Sequence, residues 1–167
     1  MLITVERSRI DPNRLYGRIV AESDFLLAMQ RECDFQFDGF IFIRKRDITK
    51  RIEGTESQRY YSSIMRKEGV WKSLPKTIKN LPLESWNDLV MALVDKPAMI
   101  ENERKGDVWV GVLKGCIKTA AMIHYFNPTG IFDKTIDRVP FRSITALQYG
   151  DRYTSTHYKY LKPRRTK

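Results

Sequence analysis

The chain has 167 residues, 42% of them hydrophobic and 30% charged, with 30 Lys and Arg against 20 Asp and Glu. A chain of this length can bury a core without staples, and this composition excludes disordered, collagen-like and disulfide-framework classes. No apolar run approaches the roughly 20 residues that span a bilayer, and MLITVERSRID lacks a basic lead followed by a long apolar stretch. A cytoplasmic protein with no membrane segment is therefore expected.

In chain order, the first elements read as a meander of short strands. Leu15 to Val20, Phe25 to Arg31, Phe40 to Arg44 and Ile48 to Ile52 are strand-like, with turns at Glu22-Ser23-Asp24 and Phe37-Asp38-Gly39. The period then changes. Gln58 to Arg66 carries Tyr60, Tyr61, Ile64 and Met65 at helical spacing, and Leu83 to Val94 does the same with Leu83, Trp86, Leu89, Val90 and Leu93. Strands return at Asp107 to Leu113, Lys118 to Phe126, Ile136 to Val139 and Ile144 to Gln148, with a turn at Asn127-Pro128-Thr129-Gly130.

The two strand-rich stretches align with each other. GRIVAESDFLLAMQ from Gly17 matches GVLKGCIKTAAMIH from Gly111, and IRKRDITKRIEG ending at Gly54 matches VPFRSITALQYG ending at Gly150. Phe37-Asp38 and Phe132-Asp133 fall between these anchors, 20 and 21 residues after the glycines. The reading is a diverged internal repeat: a mainly β protein with a helical insert, its modules at 1–56 and 105–161, the insert at 57–104 and a basic tail at 162–167.

LYGRIVAESDFLLAMQ followed by IFIRKRDITKRI resembles the two-part pattern of the Sm-like RNA-associated proteins, which are small, strongly bent five-stranded SH3-like barrels. The resemblance implies two such barrels in tandem and, for the family, RNA binding. Asp24, Phe25 and Leu26 sit where the family's turn core lies, but Leu27 stands where its base-contacting Asn is expected. Lys45, Arg46 and Asp47 follow Ile43-Arg44 where a Gly-Asn pair would. The second copy has Pro140-Phe141-Arg142 at that point.

Catalytic signals are nearly absent, so no enzyme, cofactor or metal is expected. His124 and His157 have no ligand or base partner at a useful spacing, and His124 in AAMIHYF reads as a hydrogen-bonded structural histidine. Cys33 and Cys116 read as two buried free thiols in a reducing compartment. Binding has more to work with. Residues 57–82 hold six Lys or Arg against one acid, and residues 1–56 hold ten of each. Within the basic stretch Arg59, Arg66, Lys67 and Lys72 interleave with Tyr60, Tyr61 and Trp71, the mixture that neutralises phosphates while stacking bases. Arg164 and Arg165 in the tail add phosphate contacts. The bland counterpart is a helix whose aromatics pack on a barrel, with Trp71 filling a core. Two rival functions are a protein-protein adaptor or homo-oligomer assembled through barrel edges, and a pocket for a small anion such as a nucleotide, lined by Arg44, Arg142 or Arg152. Arg44 at a strand end is expected to be solvated or salt-bridged at the surface.

Overall fold

Short runs rich in Val, Ile and aromatic residues, broken by glycine and Asx turns, favour strands. The computed structural model, which describes residues 1–162, is accordingly mainly β. Five strands, β1 (Ile3–Arg7), β2 (Asp11–Glu22), β3 (Leu26–Cys33), β4 (Gln36–Arg44) and β5 (Lys50–Glu53), precede the helices α1 (Glu56–Lys67), α2 (Lys76–Lys79) and α3 (Trp86–Ala92). Five more follow, β6 (Pro97–Asn102), β7 (Asp107–Ile117), β8 (Ala120–Tyr125), β9 (Asp137–Pro140) and β10 (Ala146–Tyr149), then α4 (Arg152–Lys159). One turn of 3-10 helix joins β4 to β5 at Lys45–Asp47 and another joins β9 to β10 at Phe141–Ser143. No helix among the described residues is long and apolar enough to cross a membrane.

All ten strands form one antiparallel sheet in the order β5-β1-β2-β3-β4-β10-β6-β7-β8-β9. The two halves meet where β10 pairs with β4, Leu147 opposite Phe42. Every strand read from the sequence overlaps an observed one, while β1 and β6 were not anticipated. The second run of strands starts at Pro97, inside the span read as insert. The turn expected at Phe37-Asp38-Gly39 lies within β4. The chain reverses instead at Asp34-Phe35, whose φ of 48° and 62° give the double left-handed hairpin geometry that matches strand twist. Asp151 is the N-cap of α4, accepting from the Thr154 amide at 2.8 Å.

The middle strands are buried on both faces. Along β3, Leu26 and Ala28 join a cluster with Trp86, Leu89 and Val90 of α3, while Leu27 and Met29 join a second with Val5, Ile41 and Ile43. Period-2 alternation makes this possible, and the unbroken run Leu26-Leu27-Ala28-Met29 is its sequence mark. Polar pairs cross the seam below. Fully buried Arg7 grips Glu103 through both carboxylate oxygens at 2.7 and 2.6 Å, and Arg31 reaches Gln148, whose amide donates to Glu101 at 2.8 Å. Arg44, expected at the surface, is buried. Its Nε donates to Asp47 at 2.6 Å, and Nη1 reaches the Arg142 carbonyl at 3.3 Å. A guanidinium at this depth is tolerated because a carboxylate compensates it. Cys33, expected to be buried, is exposed at the end of β3; Cys116 is half-buried, and burial pushes its thiol up to about 11.

Candidate nucleic-acid interface

Helix α1 starts at a capping box, with Thr55 Oγ1 accepting from the Gln58 amide and the Gln58 side chain accepting from that of Thr55. Its buried positions are Gln58, Ser62 and Met65, at i, i+4 and i+7. That differs from the face read from Tyr60, Tyr61, Ile64 and Met65. Polar groups on β1, on β5 and just before β1 decide the orientation: Gln58 Nε2 donates to the Thr4 hydroxyl at 3.0 Å and to the Ile52 carbonyl at 2.9 Å, and Ser62 Oγ accepts from the Leu2 amide at 2.9 Å. Satisfying buried backbone and hydroxyl groups outweighs packing tyrosines. Tyr60 and Tyr61 are therefore exposed, along with Arg59, Arg66 and Lys67.

After α1 the chain turns at Gly69 (φ +68°), and the Val70 and Trp71 amides both donate to the Met65 carbonyl, at 2.9 and 3.2 Å. The turn brings Trp71 back beside the helix. Arg66 lies over the Trp71 ring at 4.4 Å, Arg18 of β2 approaches it at 5.1 Å, and Phe37 of β4 meets it edge-on at 5.4 Å. Arg18 also covers Phe37 at 4.6 Å and is held by Gln30 Oε1 at 2.8 Å and the Lys72 carbonyl at 2.7 Å. Trp71 is half-buried and belongs to neither apolar cluster, so it is not a core residue. Neither Arg18 nor Arg66 has a carboxylate within ion-pair distance among the described residues. Burial, and after it the charge of Arg66, hold Arg18 below the usual arginine value. A cleft of about 440 Å³ lies beside the cluster, lined by Arg18, Gln30, Phe37, Glu68, Lys72 and Leu74 among others.

The structure thus joins Arg66, Trp71 and Lys72 into one site and adds two residues that sequence reasoning missed, Arg18 and Phe37. Arg18 and Trp71 lie on separate elements, and only the β2–β3–β4 register, with Arg18 opposite Gln30, makes them neighbours. Tyr61 belongs to an adjoining patch, stacked on Phe35 at 4.6 Å with Tyr60 edge-on at 6.1 Å. Arg59 donates to the Gly54 carbonyl, and Lys67 is exposed. Arg164 and Arg165 lie outside the described residues.

Arg44, Arg142 and Arg152 do not gather into a pocket. Arg44 is committed to Asp47, Arg142 meets it only through a carbonyl, and Arg152 is exposed, with its backbone amide on Asp38 at 2.6 Å. His124 is hydrogen-bonded, with Nε2 3.0 Å from the Asp133 carbonyl and its ring on Phe132. Among the described residues no group of three His, Cys, Asp or Glu side chains is placed to hold a metal ion. No family model matches this chain, and neither does any curated protein or solved structure.

Proposed function

We propose that this chain is a non-catalytic, low-specificity binder of single-stranded RNA, contacting phosphates through Arg18, Arg66, Lys67 and Lys72 and stacking bases on Trp71 and the neighbouring tyrosines. One observation carries the reading: two guanidinium groups converge on a half-buried tryptophan with no carboxylate within ion-pair distance among the described residues. Like charges held together without a counterion favour an anion, and aromatic faces beside them favour a base rather than a simple ion. The test is titration with a short single-stranded RNA at two salt concentrations, for the wild type and for the Arg66→Glu, Lys72→Glu pair. Binding that weakens steeply with salt and is lost in the pair supports the proposal. A loss no greater than that of a control reversal on the far surface would sink it.

The scaffold fits a tandem of Sm-like modules. Each half of the sheet runs in one order, β5-β1-β2-β3-β4 and then β10-β6-β7-β8-β9, with a 3-10 turn before the last strand in sequence of each half. This order also favours a second reading, assembly through barrel edges. The strand pair left unpaired at the two ends, β5 and β9, holds the same places in its halves as the pair joined at the centre, β10 and β4. Repeating that central join between copies is a head-to-tail contact that closes into a ring or runs on as a fibre. Mass measurement in solution checks it, and a monomer at all concentrations argues against it.

A further inference from the structure

We infer that the cleft beside the tip of the β3–β4 hairpin is a nucleobase pocket favouring bases with adjacent N–H donors, guanine above all, over uracil. The inference builds on the single-stranded RNA reading and adds a base preference to it. The hairpin tip is Asp34-Phe35, and φ of +62° is costly for a residue as large as Phe35. What that backbone achieves is placement. The Phe35 ring lies flat on Tyr61, 4.6 Å between centroids and 4° between planes. These two rings and that of Tyr16 line a cleft of about 510 Å³, with Thr4 and Gln58 also at its surface. The volume lies in the range of small-ligand pockets, and Tyr16 and Tyr61 remain 47% and 38% exposed. Exposed aromatic faces around a cavity of this size suit a planar guest.

The polar lining selects among planar guests. Glu32 Oε1 accepts from the Phe35 amide at 2.9 Å, while Glu32 Oε2 and the Asp34 carboxylate accept from no other group among the described residues. Arg14, the cation at the rim, is engaged by Glu6 at 2.9 Å. The hydroxyls of Tyr16, Ser57 and Tyr61 also line the cleft, but only Glu32 and Asp34 bring carboxylate oxygens to it. An ionised carboxylate only accepts. Guanine carries N1–H and N2–H side by side, which fits two carboxylate oxygens; uracil has one N–H flanked by two carbonyls that a carboxylate repels. The same carboxylates repel phosphate, which keeps the backbone on the Arg18 and Arg66 side. Phe35 faces this cleft and Phe37 the other, two residues and at most about 7 Å apart along the chain, so one strand can reach both.

The experiment compares the wild type with the Glu32→Gln, Asp34→Asn double variant and with Asp34→Asn alone, titrated with a uridine hexamer and with the same hexamer carrying one guanosine. Gln at position 32 retains an acceptor for the Phe35 amide and Asn tolerates the left-handed turn, so a folded protein is expected and is checked by thermal melting. The wild type should bind the guanosine oligomer about tenfold tighter. The double variant should lose that preference and bind the uridine hexamer at least as well, and Asp34→Asn alone should lose part of it. Equal wild-type affinity for the two oligomers, or a preference that survives in the variants, overturns the pocket and leaves the RNA reading standing. Binding of neither oligomer at low salt overturns both.

Discussion

Two regions use arginine in opposite ways. At the seam between the halves of the sheet, Arg7 and Arg44 are buried and each grips a carboxylate, Glu103 and Asp47. Beside α1, Arg18 and Arg66 face aromatic rings, with no carboxylate within ion-pair distance among the described residues. Side chains of one type are neutralised from within in one place and left in electrostatic debt in the other. The lesson is that the partner, rather than the residue type, separates a structural cation from one available to a ligand.

The largest effect should come from breaking the neutralised region. Glu103→Ala strands the Arg7 charge inside the seam and is expected to cost about 3 kcal/mol in chemical denaturation, with RNA affinity unchanged below the transition. Next, Trp71→Ala removes the ring between Arg18 and Arg66. RNA affinity should fall by about 2 kcal/mol while unfolding free energy changes by less, because Trp71 lies outside both apolar clusters; a larger loss of stability than of affinity would make the tryptophan a strut. Arg66→Gln, which deletes one charge, should lower the slope of log affinity against log salt by about one and leave stability within about 0.5 kcal/mol.

The smallest effect tests the seam again. Burial, reinforced by Glu103, raises the Glu101 carboxyl above its ordinary value of 4.5. The folded state therefore binds this proton more tightly than the unfolded state, and the stability that results is present below pH 4.5 and lost as pH rises through the raised value. Glu101→Gln removes the titration and keeps an acceptor for Gln148, so it should stabilise the protein at pH 7 by about 1 kcal/mol or less. Denaturation midpoints of both proteins at pH 4 and pH 7 should converge at the lower pH.

Strand content was legible because apolar runs bounded by Gly, Pro and Asx turns report the strands directly. The run Leu26-Leu27-Ala28-Met29 announces a strand buried on both faces, as β3 is. β6 was hidden because Pro97-Ala98-Met99-Ile100 follows a helix closely and carries little alternation. The hairpin tip was misplaced because Phe35 is an improbable occupant of a left-handed turn, whereas Gly39 looked suited to one. Gly39 answers a different need: a Cβ there would lie 2.4 Å from the Asp151 amide nitrogen. Three of the five residues of the candidate site were visible, since Arg66, Trp71 and Lys72 are close in sequence. Arg18 and Phe37 enter through strand register, which composition does not reveal.

The β4·β10 join sets a timetable for folding. Phe40, Ile41, Phe42 and Ile43 pair with Tyr149, Gln148, Leu147 and Ala146, partners about a hundred residues later in the chain. During synthesis an apolar strand edge must wait until Ala146–Tyr149 have been made, and pairing at such sequence distance is slow. A ribosome-bound or truncated chain that stops short of Ala146 should then expose a sticky edge that chaperones recognise, although every residue of the first half is already in place.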